Sequence, residues 1–136
     1  MREGRCLCGA VRFRGEPAET FGICHCKMCQ RWAGGPLIAA TVTKLEIEGA
    51  DEIVTRRTSG WASRSHCGTC GSALWYRWDK GVDGAGDYEI PLGLWDDADG
   101  LTLVREIFVD LKPDAYDFAG DHERLTAAQT LAKYVP

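Results

Sequence analysis

Cys24-His25-Cys26-Lys27-Met28-Cys29 packs three sulfurs into six residues. The other four of the chain's seven cysteines stand in two equally tight groups, Cys6-Leu7-Cys8 and Cys67-Gly68-Thr69-Cys70-Gly71. Buried apolar cysteines would be scattered, whereas these are clustered at ligand spacing. In an extended segment residues i and i+2 share a face, so each CxC pair can aim two sulfurs at one ion. A CxxC pair does the same around a tight turn, where Gly68 and Gly71 let the backbone turn its amides toward the thiolates. The last group reads as a zinc knuckle.

Four thiolates close a tetrahedral zinc site, which leaves three over. Two partitions compete. In one, Cys6 and Cys8 join Cys67 and Cys70, and Cys24, Cys26 and Cys29 form a self-contained trio. In the other, Cys26 and Cys29 join Cys67 and Cys70, and Cys6, Cys8 and Cys24 have no evident role. The compactness of the trio favours the first. If Cys24 to Cys26 is extended, His25 faces away from both cysteines and reads as a packed or solvent-facing imidazole rather than a fourth ligand. The same opposition applies to His66 beside Cys67, and His122, far from any cysteine, reads as a surface residue. The trio therefore keeps an open position, as catalytic zinc does. Three thiolates make zinc a weak Lewis acid for activating water but a good host for another soft sulfur, so a small thiol is the expected substrate.

Away from the cysteines, Val11 and Phe13 alternate with Arg12 and Arg14, the period of a half-buried strand. Similar runs recur at Thr20 to Cys24, Pro36 to Val42, Leu45 to Ile47, Ile53 to Arg57, Ala73 to Trp78, Tyr88 to Leu92 and Leu101 to Val109. Glycine, proline and aspartate punctuate them, and Gly81 to Gly86 reads as a mobile loop. This predicts a mainly β fold, a sheet or sandwich carrying zinc sites, with few short helices. One helix should follow Cys26 and another should lie near His122 to Ala128, capped by Asp121.

The 136 residues, with 45% hydrophobic and 26% charged content, suit a single domain over 1–136. A formal charge of -4 argues against nucleic acid or an anionic membrane as partner. The start, Met1 to Arg5, leaves no room for a signal peptide, and Gly34 to Val42 falls far short of the roughly 20 residues of a membrane span. A cytoplasmic location is expected, where thiols stay reduced.

The order CxC, CHCxxC, CxxCG resembles the glutathione-dependent formaldehyde-activating enzyme family, which includes the centromere protein V group. The segments Gly4-Arg5-Cys6-Leu7-Cys8-Gly9-Ala10-Val11, Cys67-Gly68-Thr69-Cys70-Gly71-Ser72-Ala73-Leu74 and Leu92-Gly93-Leu94-Trp95-Asp96-Asp97 extend the likeness over about residues 4 to 112. The resemblance implies a β-tent fold and a structural zinc on Cys6, Cys8, Cys67 and Cys70. It also implies a catalytic zinc on Cys24, Cys26 and Cys29 that accepts glutathione sulfur. The implied reaction adds glutathione to formaldehyde, giving S-hydroxymethylglutathione, a carbon-sulfur lyase reaction run in reverse. The chain departs from the family pattern at Glu106, where a histidine often precedes the Ile-Phe pair, and at His66, where an aromatic is common.

A competing reading is a non-catalytic zinc module that binds another macromolecule; a third is one metal with a redox-sensing trio. Arg31 and Trp32, or Arg64 and Trp61, could meet glutathione, although such residues are more often solvated or packed. At least one of Trp75 and Trp78 should pack in the core. Asp96 and Asp97 read more simply as turn formers than as an acid-base pair.

Overall fold

The computed structural model describes residues 1–79 and 86–135. The loop expected at Gly81 to Gly86 lies outside the described residues except for its last glycine. The chain divides into two compact units, Met1–Glu19 with Ala39–Gly100 and Thr20–Ile38 with Leu101–Pro136. The mainly β class holds for the described residues as a whole and for the first unit, whereas in the second unit α-helix is as abundant as strand.

The first unit is antiparallel. Strands β1 (Arg2–Arg5), β2 (Arg12–Gly15) and β5 (Leu45–Glu48) form one sheet in the order β1-β2-β5. Strands β4 (Leu37–Val42), β6 (Ile53–Arg57), β7 (Ala62–Cys67), β8 (Ala73–Trp78) and β9 (Tyr88–Pro91) pair in the order β4-β9-β8-β7-β6. The alternation read around Phe13 is what β2 displays: Val11 and Phe13 are buried while Arg12 and Arg14 are exposed. Phe13 meets Trp95 edge-on at 5.0 Å and Trp75 at 5.8 Å, a geometry aromatic quadrupoles favour. Val42, Leu74 and Ile90 complete this core, and Cys6 and Cys67 are part of it. Trp75 is the core tryptophan of its strand; Trp78 is 42% exposed. The Asp97 carboxylate accepts from the Asp99 amide at 2.8 Å, the bond of a turn former.

The second unit holds β3 (Thr20–Cys24), β10 (Thr102–Ile107) and β11 (Glu123–Arg124), all parallel in the order β11-β10-β3, together with the described chain's two α-helices. Helix α1 spans Lys27–Ala33 and α2 spans Ala127–Tyr134. The second helix begins later than Asp121 would place it. Glu123–Arg124 instead adds a short strand beside β10, and Thr126 starts the helix through a reciprocal capping box with Gln129. No helix of the described residues is long and apolar enough to cross a membrane.

Candidate metal centres

The first unit gathers Cys6, Cys8, Cys67 and Cys70 with all four Sγ atoms within 4.8 Å of one another. All are free thiols. Sγ of Cys8 lies 3.6 Å from that of Cys6 and 3.9 Å from that of Cys67. Zinc–sulfur bonds of about 2.3 Å place tetrahedral neighbours about 3.8 Å apart, so the cluster has the dimensions of a zinc tetrathiolate. Cys67 ends β7, and the turn after it brings Cys70 back, with the Gly71 amide donating to the Cys67 carbonyl at 2.8 Å. Gly71 takes φ +80°, a conformation that a side chain would disfavour.

Two details differ from the sequence reading. Cys6 to Cys8 is a turn rather than an extended segment, closed by the Gly9 amide on the Cys6 carbonyl at 3.2 Å. The sulfurs converge because the chain bends. The amides aimed at sulfur belong to Val11, 3.3 Å from Cys6 Sγ, and Cys70, 3.5 Å from Cys67 Sγ. The Gly68 amide instead donates to the Glu52 carbonyl at 2.7 Å, which fastens the turn to the segment before β6.

The acidities within the cluster diverge. Hydrogen bonding with Ser72 pulls Cys70 down to about 5. The Ala10 amide lowers Cys8 too, but burial and the three neighbouring thiols prevail and push it up to about 11. Four sulfurs this close cannot all ionise without a cation among them, and a divalent metal is the natural one.

The second unit gathers Cys24, Cys26 and Cys29, again with Sγ atoms within 4.8 Å of one another. Cys24 ends β3. Cys26, at φ −62° and ψ 155°, caps α1, and its sulfur accepts the Cys29 amide at 3.3 Å. A sulfur thus does the work usually given to a serine or aspartate oxygen. Cys29 sits in the first turn of the helix, buried. Hydrogen bonds with Cys26 and Cys29, then burial, push the Cys24 thiol far up, so this trio too is a donor set in want of a cation. Both clusters could bind metal ions.

His25 does face away from the cysteines, into the protein. Its side chain is 0% exposed and Nε2 lies 2.7 Å from Glu106 Oε1. The other carboxylate oxygen is 2.5 Å from Nε2 of His122, whose side chain is only 1% exposed. His122 is therefore a buried partner, not a surface residue. The reason is β11, which carries it beside β10 and Glu106. Arg124 Nε stands 3.3 Å from the same oxygen. Burial pushes the Glu106 carboxyl up, but the hydrogen bonds from His122 and His25 outweigh it and hold the group below the usual range.

Of the residues considered for ligand contact, Arg31 and Trp61 are exposed and Trp32 half-buried. Arg64 is buried, donating to Thr58 Oγ1 at 2.5 Å and stacked 5.0 Å from the Tyr76 ring centre. Sequence reasoning missed the sulfur cap of α1 and the histidine-carboxylate chain. The hints of the latter were an acidic residue, Glu106, within strand β10 and the departure from the family pattern at that position.

Known proteins with these features are recognisable. The model of the glutathione-dependent formaldehyde-activating enzyme family matches residues 1–111. An uncharacterized lyase of Schizosaccharomyces pombe is 29% identical over 135 residues, covering 98% of this chain and 96% of its own. A Halomonas elongata protein, provisionally named a glutathione-dependent formaldehyde-activating enzyme, is 37% identical over 94 residues, covering 59% of this chain and 60% of its own. The crystal structure of a Rhodobacter sphaeroides protein superposes with a TM-score of 0.57 at 20% identity, covering 90% of this chain and 98% of that one, and shares the fold. With the family model spanning most of the chain and including all seven cysteines, the protein belongs to the glutathione-dependent formaldehyde-activating enzyme family.

Proposed function

We propose that the protein is a zinc enzyme joining glutathione, or a similar small thiol, to formaldehyde or a related aldehyde, a carbon-sulfur lyase reaction in reverse. The observation that carries this reading is the trio. Cys24, Cys26 and Cys29 converge, and among the described residues no fourth histidine, cysteine or carboxylate atom joins them. Zinc held there would keep a small-molecule sulfur deprotonated yet nucleophilic. Cys6, Cys8, Cys67 and Cys70 would hold a second, saturated zinc whose contribution is to folding.

The reaction balances without a further reagent. The thiol sulfur bonds to the carbonyl carbon, the π pair moves to oxygen, and the proton given up by the thiol ends on that oxygen. The helix cap at Cys26 and the burial of Cys29 fix two of the three sulfurs, and His25 is engaged with Glu106 rather than with the cluster. Family membership and the names of the two relatives support the reaction class. Seven free cysteines suit a reducing cytoplasm.

The test is zinc counting with glutathione titration on the wild type and on Cys24→Ser. Two zinc per chain are expected, with the variant folded, holding one zinc and no longer binding the thiol. A wild type with one zinc, or a trio whose coordination glutathione leaves unchanged, removes the basis for the reaction.

A further inference from the structure

The buried chain of His25, Glu106 and His122 has no part in the reaction as written. Burying an ionised carboxylate costs several kcal/mol unless hydrogen bonds replace its water. Here they are supplied by the two imidazoles at 2.7 and 2.5 Å, with Arg124 at 3.3 Å. An ionised carboxylate only accepts, so both histidines carry a proton on Nε2. His25 Nδ1 is buried with no hydrogen-bond partner, so Glu106 alone orients that ring by hydrogen bonding. The backbone of His25 is held as firmly. Its amide donates to the Ile107 carbonyl at 3.1 Å, and its carbonyl accepts from Gln30 Nε2 at 2.6 Å.

Cys24 and Cys26 are the covalent neighbours of His25, so a shift of the His25 backbone moves both sulfurs, and the buried ring anchored on Glu106 resists that shift alongside the two backbone bonds. We infer that Glu106 is a positioning residue of the three-cysteine centre: acting through His25, it holds Cys24 and Cys26 converged before a metal arrives. An open centre makes one protein–metal bond fewer than a closed one and has less binding energy with which to order its own ligands, so preorganisation counts for more there. This inference rests on the trio being a metal centre.

The experiment is chelator competition on the full chain loaded with cobalt(II), whose absorption reports sulfur coordination. The Cys24→Ser chain supplies the spectrum of the four-cysteine centre alone. In Glu106→Gln the trio is expected to hold cobalt about 10- to 100-fold more weakly, with shifted bands, while the four-cysteine centre keeps its wild-type affinity. Unchanged trio affinity, or equal loss at both centres, overturns the inference. Should Glu106→Gln fail to fold, His122→Gln leaves the Glu106–His25 bond in place and releases the carboxylate on its other side. A smaller, trio-selective weakening then supports the inference, and no change or equal loss overturns it. A wild-type chain that takes up a single cobalt defeats the reading of the trio as a metal centre, a result distinguishable from the others.

Discussion

Glu89 gives a prediction whose size can be worked from the structure. It lies on β9 opposite Thr41 on one side and Tyr76 on the other, and Thr41 Oγ1 reaches its carboxylate oxygens at 2.8 and 3.0 Å. Burial raises the Glu89 carboxyl from 4.5 to about 7; Thr41 opposes the shift and the charge of Asp87 adds to it. A folded-state value above the unfolded one means that folding favours the protonated group. Its contribution is therefore complete below 4.5, declines as pH rises toward 7, and is gone above that. At about 1.4 kcal/mol per pH unit the loss totals about 3 kcal/mol. Glutamine keeps the shape and neutral polarity of the protonated acid, so Glu89→Gln should escape the loss. Urea unfolding of both proteins at pH 5 and pH 8, in zinc-replete buffer, measures the difference, and pH effects on the metal centres cancel between the two proteins. The variant should gain about 2–3 kcal/mol on the wild type between these conditions. A stability gap that does not change with pH, or a wild type that gains on the variant as pH rises, would refute the reasoning.

Cys67→Ser should remove a buried ligand of the four-cysteine centre and, with a structural zinc site contributing on the order of 10 kcal/mol, leave a chain without cooperative unfolding by circular dichroism. Gly49→Ala should be severe for so small a change: φ is +80° and an added Cβ would sit 1.9 Å from the Ala10 carbonyl oxygen, so thermal melts should show a large drop in Tm. Phe13→Ala empties the space between Trp75 and Trp95 and should cost about 3–5 kcal/mol by denaturant titration.

What the sequence made legible follows from how local each signal is. β3, β6 and β8 have the limits their apolar runs suggest, because strand and run are the same residues. β7 went unread since Ser63, Arg64 and Ser65 are polar yet buried, and composition gives no sign that both faces of such a strand are covered. The cysteine grouping was readable because ligand spacing is a local geometric constraint. Glu106 and the two histidines were not: His25 and Glu106 lie 81 positions apart and are brought together by the pairing of β3 with β10. Gln30 is similar, since its side chain ties the carbonyls of His25 and Leu111 together across the same separation.

The two sulfur clusters differ in how much chain separates their members. Cys24, Cys26 and Cys29 leave the ribosome together, whereas Cys8 must wait for Cys67, 59 positions later. Closing that longer loop costs about 2 kcal/mol more chain entropy. Yet Glu106, which on the inference above holds the trio converged through His25, is synthesised after Cys70; were both clusters zinc sites, the four-cysteine set would be complete first, and a cell short of zinc would accumulate chains with a loaded scaffold and an empty trio.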